Sequence, residues 1–252
     1  IANIREQCSW PHTHDKETAT NKAIAIIKTT IEHLRLNTKL TPIVIPMTKR
    51  VLIIGGGIAG LQSAIDITDG GYDVVVVEQA DKLGGHVSEL STTFPSLQSP
   101  SNYLALIISA VQSHSHIQVL LNTQIEEVNG YVGSFHVRMS GNILQTFGAI
   151  IVATGYELLP RLKTLQFPVD PDILDGLEFE KILSSRQDGI IRRPSDGKIP
   201  ADIVFIQCAG SRDPEHGVPY CSRVCCMYTA KQVMQYHNSI PQGQAYVCYM
   251  DI

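Results

Sequence analysis

No stretch of the sequence approaches the roughly 18 consecutive apolar residues of a membrane-spanning helix. A basic block is also missing. With 20 lysines and arginines against 24 acidic residues and a net charge of −4, the chain lacks the electrostatic footprint of a nucleic-acid binder. No signal peptide is visible at its start, and no segment repeats at a fixed period of about 20–50 residues. Six cysteines in 252 residues fall far below the density of a disulfide scaffold. None of them forms the C-x-x-C that a thioredoxin-type dithiol needs. The chain begins with Ile1 and breaks off inside the strand-like AYVCYMDI, so it reads as a piece of a longer protein.

What is present is a core-forming composition, 44% apolar and 17% charged, enough for one large domain or two smaller ones. Asp15 can cap a helix over about residues 16–36, with Ala23, Ile27, Ile31 and Leu34 on one face. The proline-bearing LTPIVIPMTK reads as an extended linker. A βαβ unit follows: strand Val51–Ile54, a glycine turn, a helix ended by Gly70-Gly71, and the buried strand Val74–Val77. A helix starts at Ser99-Pro100, and IQVLL is a third strand. Residues 124–152 alternate and are punctuated by glycine, as in a small antiparallel meander returning to a parallel strand. Residues 160–200 are polar, with one short helix near Phe179–Ser185. Strand ADIVFIQ, a helix over Ser222–His237 and strand QAYVCYM make a second βαβ unit. The expected division is therefore 1–46 (helical segment and linker), 47–160 (dinucleotide-binding) and 161–252 (second βαβ domain).

Gly55, Gly57 and Gly60 form G-x-G-x-x-G between a strand and a helix. Such glycines permit a tight turn, backbone approach to a pyrophosphate and close packing of helix on strand. The helix start, through Ile58 and Ala59, offers free N–H groups to phosphate. Glu78 ends the second strand 18 residues after Gly60, where a carboxylate accepts ribose hydroxyls. Gly84-Gly85-His86 and Ala153-Thr154-Gly155 follow in the order seen in two-dinucleotide-domain flavoproteins, a resemblance that selects FAD and places His86 near the flavin.

In such flavoproteins a second glycine-rich turn usually binds NAD(P)H. Here the corresponding strand runs into Cys208-Ala209-Gly210-Ser211-Arg212 instead. Cys208, Cys221, Cys225 and Cys226 lie within 19 residues, spaced C-x12-C-x3-C-C. Residues four apart share a helix face, so Cys221 and Cys225 point together if the first turn is helical; Cys226 is rotated by about 100° and reaches the same object if that object is large. Arg212, Arg223 and the helix N-terminus would help hold thiolate charge. Zinc fits this spacing less well than a cluster several ångströms across, no C-x-x-C redox dithiol is present, and the ferredoxin runs also differ, so spacing leaves zinc and an iron–sulfur cluster open. Cys8, with Trp10 and His12, and Cys248 read as packing residues, His114 and His116 as solvent-facing, and Glu126-Glu127 as part of a sheet.

The sequence resembles the A-type subunit of heterodisulfide reductase and its bacterial homologues. The resemblance rests on Ile4–His12 (IREQCSWPH), DKETAT, TKRVLIIGGGIAGLQSA, GGH, TFP, RRPSDGK and, most specifically, IQCAGSRD with YCSRVCCMYTAKQ. It implies a thioredoxin reductase-like fold, FAD in the first dinucleotide site, and an unusual [4Fe-4S] cluster on Cys208, Cys221, Cys225 and Cys226. It also implies a cytoplasmic oxidoreductase subunit, homodimeric, with B- and C-type subunits, a hydrogenase or dehydrogenase donor and, in methanogenesis, ferredoxin as an acceptor in electron bifurcation. No side chain is expected to act as a general acid, base or nucleophile. The ferredoxin-like modules of long family members are expected to lie outside this piece. One departure stands out: the family's D-C-S-x-C-I after TFP has Ser99 and Asn102 where the cysteines stand. The other readings are a flavin-free zinc scaffold and a stand-alone flavin disulfide reductase.

Overall fold

The computed structural model describes residues 1–42, 44–159, 169–186 and 188–250. It divides into two compact units, Ile1–Ile45 and Pro46–Ile252.

In the first unit a short π-type turn over Arg5–Ser9 buries Cys8, as expected of a packing residue, and its carbonyl bonds the ring of His12 (3.0 Å). Helix α1 spans Lys16–Leu36, where its capping residue places it: the Asp15 carboxylate accepts from the Thr18 N–H at 3.0 Å. The predicted apolar face forms, but α1 buries none of its residues, and Ile27, Ile31 and Leu34 are exposed.

The second unit is built on a four-stranded parallel sheet in the order β3-β2-β1-β7, comprising β1 (Arg50–Ile54), β2 (Asp73–Val77), β3 (Ile117–Leu120) and β7 (Ala149–Val152). The run Val74–Val77 is apolar at every position because this strand is covered on both faces. Helices α2 (Ile58–Asp69) and α3 (Ser101–Ser113) cover one face, packing Leu61, Ala64, Leu104, Ile107 and Val111 onto Ile53, Val74 and Val76. The other face is covered by an antiparallel meander of β4 (Ile125–Tyr131), β5 (Ser134–Met139) and β6 (Ile143–Phe147), whose Val137, Met139 and Phe147 pack on Leu52, Val75 and Val77. Alternate residues of β1 and β2 thus feed two separate cores, as the period of a strand dictates. Helix α3 starts one residue later than expected, with Pro100 as its cap.

Beyond the meander, helix α4 (Gly176–Ser185) starts in a capping box made by Asp175 and Glu178. Strands β8 (Asp202–Ile206) and β9 (Gln244–Cys248) pair in parallel around helix α5 (Cys225–Ser239), the second βαβ unit. Its core gathers Phe179, Leu183, Ile191 and Tyr236 against Ile203 and Phe205. Two corrections arise here. Helix α5 begins at Cys225, not Ser222, because Arg223 sits at φ 62°, a left-handed conformation no helix interior accommodates. Cys248 is exposed rather than a core residue, since among the described residues nothing covers that face of the two-stranded sheet. His116 bonds Asp73 at the surface and Glu126 and Glu127 pair with Arg138, as surface readings require. Part of the polar 160–200 segment lies outside the described residues. Among those described, no helix is long and apolar enough to cross a membrane.

Candidate functional site

Four motifs far apart in sequence meet at the C-terminal ends of β1, β2 and β7, where open α/β sheets bind ligands. Gly55 leaves β1 at φ 112°, and a side chain on it would collide with the carbonyl of Ala153 at the end of β7. A Cβ on Gly60 would strike the Gly55 carbonyl, so α2 packs directly on the turn. At Gly57 a Cβ would meet nothing within 4 Å: the space is open above the start of α2. Gly57 caps α2 without a side-chain acceptor, leaving the N–H groups at Ile58, Ala59 and Gly60 facing that opening.

The Glu78 carboxylate is oriented by two backbone donors, the N–H of Gly56 (2.7 Å) and that of Ala80 (2.8 Å). The glycine doublet closes on the same turn. The Gly84 N–H donates to the Gly56 carbonyl at 2.9 Å, and Gly57 and Gly84 form an isolated bridge. His86 follows. Its Nε2 lies 2.8 Å from the carbonyl oxygen of Tyr156, the residue after Ala153-Thr154-Gly155, and the two rings stack at 4.5 Å. Gly55, Gly57, Gly60, Glu78, Gly84, Gly85, His86, Ala153 and Thr154 are thereby brought to one corner, and Ile58, Ala59 and Gly155 adjoin them in the chain. A dinucleotide fits this corner: phosphate at a free helix start, ribose at an oriented carboxylate, and a glycine with room in front of it.

The thiols occupy the corresponding end of β8. Cys208 follows the strand at φ 57°, and Arg212 (58°) and Arg223 (62°) share this uncommon conformation. Three non-glycine residues held left-handed within one loop mark a segment whose surroundings over-determine it. The 12 residues between Cys208 and Cys221 fold back on themselves: Val218 N–H donates to the Gly210 carbonyl (2.8 Å), Asp213 N–H to Val218 (3.0 Å) and Arg212 N–H to Tyr220 (3.1 Å). A Cβ on Gly217 would collide with the Gly210 carbonyl, so the two arms touch. The Asp213 carboxylate caps the tip by accepting from the N–H groups of Glu215 and His216. This closed loop brings Tyr220, the neighbour of Cys221, back to Arg212, and Cys225 and Cys226 follow in the first turn of α5.

Cys221 is thus not on the helix, and the shared-face argument from four-residue spacing does not apply. The loop does the gathering. Cys221 Sγ accepts from the Arg223 N–H at 3.3 Å, and the Ser222 hydroxyl lies 3.6 Å from Cys225 Sγ. Burial, then Cys225, Cys208 and Cys221, push the Cys226 thiol upward, so the other three sulfurs all lie within the field of Cys226. Among the described residues no three cysteine, histidine or carboxylate side chains are close enough to hold a single metal ion.

Several residues of this region carry no sequence signal. Tyr156 has its phenol raised by burial and then by Glu89 and Glu180. Tyr228, one turn after Cys225, is raised to about 12 by burial and then by Cys225 and Tyr156. Glu180 and Lys231 form a buried ion pair between α4 and α5. A buried lysine is visible in sequence only as one charge on an otherwise mixed helix.

Comparison with known proteins gives a consistent answer. The second A-type iron-sulfur subunit of the CoB–CoM heterodisulfide reductase of Methanopyrus kandleri is 29% identical over 335 aligned positions, covering 100% of this chain and 51% of that protein. The A-type subunit of the H2:CoB–CoM heterodisulfide,ferredoxin reductase of Methanothermobacter thermautotrophicus is 28% identical, again over 100% and 51%. The similarity to this type of subunit read from the motifs holds. The chain spans about half the length of these relatives. Within the matched span, 335 positions against 252 residues leave 83 that the first relative fills and this chain does not. A thioredoxin reductase of T. acidophilum matches 42% of this chain and 36% of its own at 18% identity, with a TM-score of 0.37. Residues 23–176, which end before the thiol loop, match the family described as pyridine nucleotide-disulphide oxidoreductase. More than half of the sequence lies inside that match, and the chain belongs to the pyridine nucleotide-disulphide oxidoreductase family.

Proposed function

We propose that this chain is the flavin- and cluster-bearing part of an electron-transfer subunit in a heterodisulfide reductase-like complex. In that role it relays electrons from a partner dehydrogenase or hydrogenase to disulfide-reducing or sulfur-metabolising subunits. One observation supports the reading: a glycine turn with open space at Gly57 and an oriented Glu78 on the first sheet, and four thiols after β8 where a second glycine-rich turn would otherwise stand. FAD in the crevice would accept electrons in pairs, and a [4Fe-4S] cluster on Cys208, Cys221, Cys225 and Cys226 would pass them on singly.

The chain's own residues have limited, definable tasks. The start of α2 would neutralise phosphate, Glu78 would orient a ribose, and His86, whose Nε2–H is held by the Tyr156 carbonyl, keeps its Nδ1 to accept from a donor. The start of α5 and the Arg223 N–H offset thiolate charge. No nucleophile or general base is required. Ser99 and Asn102, at the entry to α3, stand where the resembled family often has two cysteines, which leaves room for a sulfur-metabolising or quinone-linked complex beside the heterodisulfide one.

The test is the iron, sulfide and flavin content of anaerobically purified protein, repeated on Cys221→Ala and Cys226→Ser. The expected result is flavin near one per chain, four irons in the parent and loss of iron with flavin retained in both variants. A colourless protein carrying stoichiometric zinc would instead support a structural scaffold. Turnover of NAD(P)H by the chain alone would support a stand-alone disulfide reductase.

A further inference from the structure

The Glu180–Lys231 pair is the most buried charged contact described in the chain, each side chain 2% exposed and Nζ 2.8 Å from Oε1. Its partners are not confined to the two helices. Glu180 Oε2 accepts from the Ser91 N–H (3.0 Å) and the Ser91 hydroxyl (2.8 Å), and Lys231 Nζ donates to the Thr92 carbonyl (2.8 Å). Gln235 Nε2 donates to Thr92 Oγ1 at 2.7 Å. Ser91 and Thr92 lie five residues beyond His86, in the loop that leaves the dinucleotide crevice. Helix α5, which supplies Lys231 and Gln235, starts with Cys225 and Cys226.

A buried ion pair is seldom the most stable way to join two helices; apolar residues of similar volume do as well or better. What apolar residues cannot do is grip the backbone of a passing loop. Units joined by a modest interface move relative to one another by default, whereas electron transfer requires a fixed separation. We propose that Glu180 and Lys231, with Gln235, are positioning residues that clamp Ser91-Thr92 to α4 and α5 and so hold the dinucleotide crevice and the thiol corner at constant distance. The naming of the two ends rests on the proposed function; the clamp itself does not require either cofactor. Glu180 also lies within Coulombic reach of Tyr156, whose ring stacks on His86.

Two double variants of the full chain separate the clamp from mere packing. Glu180→Gln with Lys231→Met keeps an acceptor oxygen for Ser91; Glu180→Leu with Lys231→Met does not. Hydrogen exchange at Ser91–Thr93 is expected to accelerate at least about tenfold in the Leu/Met chain and several-fold less in the Gln/Met chain, which loses the Lys231 bond to Thr92 but keeps an acceptor for Ser91, with β1 and β2 unchanged in both. With FAD added, the flavin's visible circular dichroism should change more in the Leu/Met chain. Equal exchange at Ser91–Thr93 in the two variants, or a loss there matched in β1 and β2, overturns the proposal. Should the Leu/Met chain not fold, Ser91→Ala with Gln235→Leu, which leaves the ion pair intact, carries the same expectation and the same overturning result. If FAD fails to bind the parent, the proposed function falls while the exchange result still decides the clamp.

Discussion

Gly57 separates a glycine kept for folding from one kept for a ligand. Its backbone is ordinary for any residue (φ −76°), and a methyl group there would meet no protein atom within 4 Å. Gly57→Ala should therefore leave the unfolding midpoint within about a degree of parent. It should weaken FAD about tenfold or more, because the methyl enters the space where the pyrophosphate approaches; thermal unfolding and a flavin titration read the two effects. Gly60→Ala should do both kinds of damage, since its Cβ meets the Gly55 carbonyl. The exposed Cys248 stands apart in sequence from Cys208, Cys221, Cys225 and Cys226, on strand β9. Cys248→Ser is expected to keep full iron content under conditions where Cys226→Ser loses it.

At the scale of an element, the closed loop from Cys208 to Cys221 is the device that makes a site out of a spacing. Its arms touch at Gly217 and Gly210 and are joined by backbone bonds, with Asp213 fastening the tip. Gly217→Ala removes no sulfur, yet it should spread the arms and lower iron content to about half or less, measured by iron and sulfide analysis; flavin content should stay at the parental level. The consequence for α5 is also local. Arg223 at φ 62° prevents an earlier helix start, so Cys225 and Cys226 fall in the first turn, where unpaired N–H groups point. Had α5 begun at Ser222, Cys221 and Cys225 would share a face and Cys226 would turn away from it.

Across the whole molecule, the central sheet joins two cores and the buried clamp ties the second βαβ unit to the first. Leu52, fully buried under the meander, should cost about 2–5 kcal/mol when cut to alanine, read by urea unfolding. The clamp sets a pH dependence. Burial alone would raise the Glu180 carboxyl, but hydrogen bonds from Lys231, Gln232 and Ser91 outweigh it and hold the group below its ordinary 4.5. A carboxyl depressed by folding stabilises the chain above the unfolded value and loses that contribution as pH falls through the lower, folded one. Between about pH 5 and pH 3 the parent should lose more stability than the Glu180→Leu/Lys231→Met chain. Asp172, Asp188 and Asp213, also depressed, give both proteins the same background.

Local chemistry made much of this protein readable from its residues alone. Asp15 announced the start of α1, the all-apolar Val74–Val77 announced a strand covered on both faces, and the glycines after β1 announced a helix start free for phosphate. Each depends on neighbours a few residues away or on a periodicity the backbone imposes. Tertiary structure alone decided that Gly84, Ala153 and Gly55 meet at one turn and that Cys221 is returned by a loop rather than a helix. It alone decided that Cys248 is uncovered, and that Glu180 and Lys231, 51 residues apart, are buried against Ser91 and Thr92. These contacts join residues distant along the chain. Their energies depend on which groups exclude water from which others, and that is fixed only when the two units of sheet and helix have packed.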